Sequence, residues 1–156
     1  MDKINWSNLS GNSNTNACLL LKNNIDKIDW SNLSSNSNDI AVDMLLQNVD
    51  KINWSNLSKN SNNRIIDLLQ ENKEKIDWKY LSFNSNNQVY DMLTQNIDKI
   101  NFVYLCQNTN PKILSILQNY PDFINWEVLS GNEHIFTLDK YTNDNKIKYY
   151  TDNYLL

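Results

Sequence analysis

Apolar and polar positions recur along the chain with a fixed period of 24 residues. An aromatic residue opens each copy of the pattern, and a leucine follows it three positions later. We number the copies one to six by that aromatic residue, which is Trp6, Trp30, Trp54, Trp78, Phe102 and Trp126. A short fixed period of this kind is typical of repeat architectures, in which every copy is one small structural unit.

Polar positions recur as strictly as the apolar ones. An asparagine stands six positions after each aromatic residue, and we call this set the asparagine row: Asn12, Asn36, Asn60, Asn84, Asn108 and Asn132. A serine stands two positions before each of these asparagines, with Cys106 in its place in copy five. We expect the asparagine row to cap helices and to form a hydrogen-bonded ladder between copies.

Each copy is predicted to begin with a short helix. In copy two it spans residues 30–34, with Asp29 as its N-cap, because an Asp or Asn side chain accepts an otherwise unpaired backbone N–H there. Trp30 and Leu33 are three residues apart and therefore share one face. Asn36 is expected to end the helix in the left-handed conformation, which Asn tolerates better than most residues.

A longer helix is predicted to follow in the same copy. Ser37 or Asn38 is expected to cap it, and it runs over about residues 39–47. Its apolar residues are spaced i, i+3 and i+4, which is the pattern of an amphipathic helix. No stretch of the chain alternates apolar and polar residues for long, so strands are not predicted.

A helix pair of this size cannot bury its apolar stripe alone, whereas stacked copies can. We therefore predict an all-α fold, an α-solenoid of about six 24-residue units, each a short helix plus a longer helix. The whole chain, 1–156, is predicted to be a single helical-repeat domain. Repeats occupy about 2–132, and a degenerate C-terminal cap occupies about 133–156. The tryptophans are expected to belong to the core.

The repeated unit resembles a known one. The segment from Asp29 to Asn38 reads D-W-S-N-L-S-S-N-S-N, followed by Ala41 and Leu45. It resembles the tandem W-x-x-L-S-x-N-x short helical repeats of mimivirus-type giant-virus proteins. One departure is Ser37, where that family often has Pro, and a capping Ser does a similar local job. The resemblance implies a viral protein in an infected cell and implies no activity.

Composition narrows the functional classes. The net charge is −4, and the chain holds one arginine and one histidine. A His-based triad or a multi-His metal site is therefore excluded, and no enzyme activity, cofactor or metal site is predicted. Binding of single-stranded nucleic acid remains an alternative, but it needs a concentrated basic face that this composition does not favour.

Cellular location is predicted from what the sequence lacks. No long apolar run occurs, and Cys18 and Cys106 fall at different places in their copies, so they form no repeated disulfide framework. No apolar signal region stands at the N-terminus. We expect an intracellular protein, in the host cytoplasm or a viral factory, with presence in the virion as a further option and no membrane association.

Differences between copies indicate where a partner binds. The position two after the aromatic changes from Asn in copies one to three to Tyr80 and Tyr104 in copies four and five. Phe83 stands three residues after Tyr80 and should share its face. Exposed aromatic clusters often mark interaction sites, although a covering C-terminal tail would also explain this one. We therefore predict a non-enzymatic interaction scaffold for a protein or peptide, with Tyr80, Phe83 and Tyr104 as candidate partner-binding residues.

Self-association is the third functional hypothesis, in which the protein has a structural, self-assembling role. Copy one carries the full repeat signature, and Leu20 and Leu21 are expected to face solvent there. An exposed face built like the interior of the array can pair with the same face of a second molecule. The resulting prediction is a weak homodimer through the N-terminal unit.

Overall fold

A computed structural model of the chain describes residues 4–134. These residues form an all-helical structure without strands, so the predicted all-α class is confirmed for them. The α-helices are α1 (Trp6–Ser10), α2 (Thr15–Lys22), α3 (Trp30–Ser34), α4 (Asp39–Leu46), α5 (Trp54–Ser58), α6 (Ile66–Glu71), α7 (Trp78–Phe83), α8 (Asn87–Thr94), α9 (Phe102–Leu105), α10 (Ile113–Asn119) and α11 (Trp126–Ser130). Beyond His134, the predicted C-terminal cap lies outside the described residues.

Short 3₁₀ helices complete the copies. Five of them connect the longer helix of one copy to the next copy, and one precedes α6; they are Ile25–Lys27, Val49–Lys51, Asn63–Ile65, Lys73–Lys75, Ile97–Lys99 and Pro121–Phe123. The segment that follows α4 is one of them, Val49–Lys51. The 3₁₀ helix at the end of each of copies one to five has three residues, which is fewer than one turn of an α-helix.

Asparagine and aspartate side chains cap the described α-helices other than α6 and α10, as the sequence predicts. Asp29 caps α3 by accepting the N–H of Asn32, and Asn38 caps α4 by accepting the N–H of Ile40. Asn38 rather than Ser37 is therefore the cap. The predicted left-handed residue at Asn36 is wrong, because no residue with a described backbone has a positive φ. Asn36 instead has its side chain engaged by the preceding copy.

Equivalent helices of successive copies pack against each other. Each of the short helices α1, α3, α5 and α7 contacts the next short helix along the chain, and α2 contacts α4. Between them lies a core of leucines with no exposed surface, which includes Leu21, Leu33, Leu45, Leu57, Leu69, Leu81, Leu93, Leu105 and Leu117. Burying such side chains is the main favourable contribution to folding, at about 1.5–3 kcal/mol each.

The tryptophans lie at the edge of this core rather than inside it. Trp30, Trp54 and Trp78 pack against core residues but are only half-buried. A lysine ammonium 21 residues later lies over each ring, with Nζ 4.7–4.9 Å from the ring centroid; the pairs are Lys51 on Trp30, Lys75 on Trp54 and Lys99 on Trp78. These tryptophans therefore contact the core, as expected, but they are not fully buried within it. A cation–π contact with a lysine takes the place of further burial.

The asparagine row is buried between copies. The Asn60 amide donates to the backbone oxygens of Ser34 at 3.0 Å and Asn36 at 2.9 Å, both in the preceding copy. Its Oδ1 accepts the N–H of Asn62 at 2.9 Å. Asn36, Asn84, Asn108 and Asn132 make the same three bonds. The predicted hydrogen-bonded ladder is confirmed.

Candidate interaction surface on copies four to six

Serine and asparagine connect the short helices of the first three copies across their surface. The Asn32 amide donates to the Ser7 hydroxyl at 2.7 Å and to the Ser7 carbonyl at 3.2 Å. The Asn56 amide makes the equivalent bonds to Ser31, at 2.9 and 2.8 Å. On this face the polar side chains of one copy therefore form hydrogen bonds with those of the next copy. Few of their donors and acceptors are left to bind a partner.

Tyrosine and lysine replace this arrangement in copies four and five. Tyr80 and Tyr104 are half-buried and meet edge to face, with ring centroids 6.2 Å apart and planes at 85°. Lys79 Nζ lies 4.8 Å from the centroid of Tyr104 and 5.6 Å from that of Tyr80, and Lys59 Nζ lies 5.4 Å from that of Tyr80. We call Lys59, Lys79, Tyr80 and Tyr104 the Tyr–Lys cluster.

The cluster holds a positive charge at the surface. Hydrogen bonding with the Tyr104 side chain, followed by electrostatic attraction to it, raises the pKa of the Lys79 ammonium. Lys79 is exposed, so its charge is available to a ligand. Because a tyrosine ring face attracts a cation, the rings also restrain where the ammonium groups lie.

Phe83 does not join the tyrosine pair but lines a groove beside it. Its side chain is 42% exposed, which is high for a phenylalanine. The groove has a volume of about 340 Å³, and its other lining residues are Gln107, Thr109, Val128, Gly131, Asn132, Glu133 and His134. The three predicted partner-binding residues therefore form two neighbouring features, the Tyr–Lys cluster and the Phe83 groove.

Sequence reasoning missed the two lysines of the cluster. Lys79 stands one position after the aromatic residue of copy four, where copies one to three have Ser7, Ser31 and Ser55. The same comparison between copies that singles out Tyr80 could have found it, because both positions change in the same copy. Lys59 stands at the Phe83 position of copy three, and only the structure places it over the Tyr80 ring.

A second groove lies on the longer helices of the same copies. It has a volume of about 410 Å³ and is lined by Tyr90, Asp91, Pro111, Lys112 and Ser115 among others. The Tyr90 hydroxyl and the Ser115 hydroxyl are 2.8 Å apart and hydrogen-bonded, and Lys112 Nζ lies 5.7 Å from the Tyr90 centroid. Copies four and five thus depart from the repeat on both helices.

The two residues predicted for self-association lie in different environments. Leu20 is 38% exposed, whereas Leu21 has no exposed surface. The expectation that Leu21 faces solvent is wrong, because Leu21 occupies the position of Leu45, Leu69, Leu93 and Leu117, which points into the core. Leu20 remains as the exposed residue of the pair.

The side chains that could bind a metal or react as thiols are dispersed or buried. Among residues 4–134, no group of three or more His, Cys, Asp or Glu side chains is placed to hold a metal ion. Cys18 and Cys106 are buried free thiols, and burial raises the pKa of both. A raised pKa keeps a thiol protonated and therefore poorly nucleophilic.

No helix within the part of the chain that the structure describes is both long enough and apolar enough to span a bilayer.

Comparison with protein-family models, with curated proteins and with solved structures finds no match to this chain. The function is therefore inferred from the geometry of the chain itself.

Proposed function

We propose that the chain is an α-solenoid of about six 24-residue units, continued by the degenerate cap over about 133–156. The recurrence of the same bonds supports this proposal. The amide of each later asparagine in the row binds the preceding copy. The hydroxyls of Ser10, Ser34, Ser58 and Ser82 each accept, at 3.0 Å, the backbone N–H of the residue that caps the short helix of the next copy. Nearest-neighbour contacts of this kind are what a solenoid requires.

We propose further that this solenoid is a non-enzymatic interaction scaffold that binds a protein or peptide at copies four to six. The observation that carries the proposal is the exposed Phe83, which lines an open groove beside the Tyr–Lys cluster. Aromatic anchors with charged neighbours are the residues that dominate the binding energy of interfaces. The equivalent surface of copies one to three is closed by its own serine–asparagine bonds.

The chemistry of this surface indicates what the partner carries. Phe83 and Val128 offer apolar contact, while Gln107 and Thr109 offer hydrogen bonds. The Lys79 ammonium, on the same helix as Phe83, favours a carboxylate. A peptide fits this combination best if it places an apolar side chain in the groove and a neighbouring Asp or Glu outside it, beside Lys79, because Glu133 makes the groove itself unfavourable for a carboxylate.

The biological setting is proposed from the sequence resemblance alone. A mimivirus-type repeat protein would act inside an infected cell, in the cytoplasm or a viral factory, and would meet viral or host proteins there. The scaffold function does not depend on this setting, because it rests on the residues of copies four to six.

Selection from a random peptide display library on the full chain tests the binding site. The matched control replaces the copy-four residues with those of copy two, as Lys79→Ser, Tyr80→Asn and Phe83→Ser together. Copy two already folds with serine and asparagine at these positions, so the variant should keep its stability. We expect selected peptides to be enriched in an apolar residue beside an acidic one, and to bind the variant at least about tenfold more weakly.

Two outcomes would contradict the proposal. Peptides that bind wild type and variant equally would place the site elsewhere, with the second groove at Tyr90 as the next surface to test. A library that yields no enriched sequence on the wild-type chain would argue against peptide binding as such.

Binding of single-stranded nucleic acid is the second candidate, and one observation favours it. Tyrosine rings with lysines over them can stack bases and neutralise phosphates. The net charge of −4 opposes it, since phosphate contact needs a concentrated basic surface. Titration of a fluorescent oligonucleotide at low and high salt separates the candidates, because affinity through phosphates must fall steeply as salt rises.

A further inference from the structure

The outer surface of the short helices is formed by the same three positions in every copy. These positions stand one, two and five residues after the aromatic residue, and residues three or four apart share one side of a helix. No residue at these positions is buried in any of the six copies. We call this surface the short-helix face, and it includes the Tyr–Lys cluster and Phe83.

Charged residues on the short-helix face are separated by sign along the array. Copies one and two have only Ser, Asn and Gly at the three positions. The positive residues are Lys59 in copy three and Lys79 in copy four, and copy five has no charge there. The negative residue is Glu127 in copy six. The face therefore has a basic end, an uncharged middle and an acidic end.

The two lysines at the basic end are available to a ligand. Both are exposed, and Lys59 Nζ and Lys79 Nζ lie 5.4 Å and 5.6 Å from the centroid of the Tyr80 ring. Asp77, two residues before Lys79, already accepts the Ser55 hydroxyl at 2.8 Å and caps α7. A carboxylate on a partner can therefore form charge-assisted hydrogen bonds with these ammonium groups.

The acidic end is exposed for a reason that does not depend on where the array stops. The position of Glu127 is also exposed in copies two, four and five, where a further copy follows. Glu133, which lines the Phe83 groove, adds a second exposed carboxylate in copy six. Within residues 4–134, no ion pair engages either carboxylate. A basic side chain on a partner is therefore favoured at this end.

Apolar groups lie between the two charged ends. Phe83 in copy four and Val103 in copy five are each 42% exposed. The groove at Phe83 reaches Val128 and Gly131 in copy six, so it spans the uncharged middle of the face. An apolar side chain bound there would have the lysines on one side and the glutamates on the other.

We infer that the partner binds across copies four to six in one fixed orientation. An acidic side chain lies at Lys59 and Lys79, an apolar side chain fills the Phe83 groove, and a basic side chain lies at Glu127. This inference rests on the proposed scaffold function, and it adds the basic residue and the order of the three side chains. The reversed orientation is disfavoured, because it sets like charges against each other at both ends.

The spacing of the copies sets the length of the bound segment. Packed helices lie about 8–10 Å apart, so the short helices of copies four and six are about 16–20 Å apart. An extended peptide advances about 3.3 Å per residue. The acidic and basic residues of the peptide should therefore be about five or six positions apart, with the apolar residue between them.

Exchanging the charges on both molecules tests the orientation. The protein variant combines Lys59→Glu and Lys79→Glu with Glu127→Lys and Glu133→Lys, which leaves the net charge unchanged. Peptides selected from a random display library on the full chain are synthesised as found and with their acidic and basic residues exchanged. Each mismatched pairing of protein and peptide should bind at least about tenfold more weakly than the two matched pairings. Tight binding of the exchanged peptide to the variant also shows that the variant is folded.

The matched control is Lys73→Glu with Glu74→Lys. Both residues are exposed in a 3₁₀ helix outside the short-helix face, so this variant should bind the selected peptides as wild type does. If the four-residue variant does not fold by circular dichroism, Lys79→Glu with Glu127→Lys replaces it, with the same inverted preference expected.

Two results would overturn the inference, and they differ in what they say about the scaffold function. Peptides that need Phe83 but bind wild type equally well before and after their charges are exchanged would exclude a fixed orientation and leave the proposed function standing. A library that yields no peptide dependent on Phe83 would contradict the proposed function and this inference together.

Discussion

The substitution Asn84→Asp measures how much the hydrogen bonds between copies contribute to the stability of the fold, because it leaves the other interactions nearly unchanged. Asn84 is 3% exposed, and its amide donates to the carbonyls of Ser58 and Asn60, each at 2.9 Å. Its Oδ1 accepts the N–H of Asn86 at 3.0 Å. Aspartate has the same shape and keeps this last bond, so only the two donated bonds are lost.

The expected cost follows from those two bonds. Each contributes about 1 kcal/mol net, and each buried carbonyl left without a donor costs about 1–3 kcal/mol. A carboxylate oxygen would also face two carbonyl oxygens at close range and with little water. We expect the free energy of unfolding to fall by about 3–5 kcal/mol near neutral pH, as when a buried charge loses its partner.

The loss should depend on pH with a definite sign. Burial and the neighbouring carbonyls favour the neutral carboxyl, so the folded-state pKa of the carboxyl introduced by Asn84→Asp should exceed the unfolded value of about 3.9. The protonated form can donate one of the lost bonds. The deficit should therefore be smallest below about pH 4 and grow as pH rises through the folded-state pKa.

Urea unfolding followed by far-UV circular dichroism measures the effect, with Asn12→Asp as the matched control. Asn12 is exposed, and its Oδ1 accepts the N–H of Asn14 at 2.9 Å, as in the other copies. Among the described residues its amide donates to no carbonyl, so the same substitution should change stability by less than about 0.5 kcal/mol. Equal losses at both positions, or a loss at Asn84 below about 1 kcal/mol, would refute the ladder as a stabilising element.

Three further predictions address other parts of the repeat. Trp54→Ala should cost about 2–3 kcal/mol in chemical unfolding, less than a fully buried aromatic, because Trp54 is only half-buried; a loss below about 1 kcal/mol would contradict this. Cys106→Ser should raise the melting temperature, because a serine hydroxyl at this position makes the hydrogen bonds that the equivalent serines of the other copies make. The expected gain in stability is about 1 kcal/mol, and a lower melting temperature would count against it. Hydrogen bonds, first from the Ser7 hydroxyl, lower the pKa of Asp29. Any stability advantage of wild type over Asp29→Asn should therefore be present above about pH 4 and vanish as the pH falls further. An advantage that grows in acid would exclude this explanation.

Local chemistry explains why the helix starts can be predicted from the sequence. The first helix of copy two is predicted over residues 30–34 and is observed as Trp30–Ser34. The second is predicted over about 39–47 and is observed as Asp39–Leu46, with Asn38 as its cap. A cap residue accepts a hydrogen bond from an N–H group two or three positions later, so a few consecutive residues of the sequence are enough to predict the start of a helix.

Contacts between copies explain what the sequence leaves undecided. Local reasoning expects Asn36 to bend the backbone by adopting a left-handed conformation, but its amide binds Ser10 and Asn12 across 24 or more residues. The half-buried state of Trp54 depends on Lys75, which only the fold brings over the ring. A period reveals that positions are equivalent but does not reveal which face of a unit meets the next.

The candidate site is predicted only in part for the same reason. Comparison between copies identifies Tyr80 and Tyr104, which meet because equivalent positions of neighbouring short helices lie side by side. It does not separate Phe83 from them, since residues three apart share a helix face without having to share a neighbour. Lys59, one copy earlier, is placed over Tyr80 by the stacking of copies.

Deviations from the repeat fall into two kinds, and the difference bears on function. In copy five, Phe102 replaces the tryptophan and Phe123 replaces the lysine that lies over it; the two rings stack with centroids 5.0 Å apart and planes at 24°. That pair of changes preserves a contact within the fold. Phe83 departs from Ser35 and Gln107 at the same position, yet it remains 42% exposed beside an open groove. Phe123 is itself 61% exposed, but its stacking on Phe102 accounts for the change of residue there. Among the described residues no aromatic ring stacks on Phe83, so Phe83 is the deviation that a binding partner best explains.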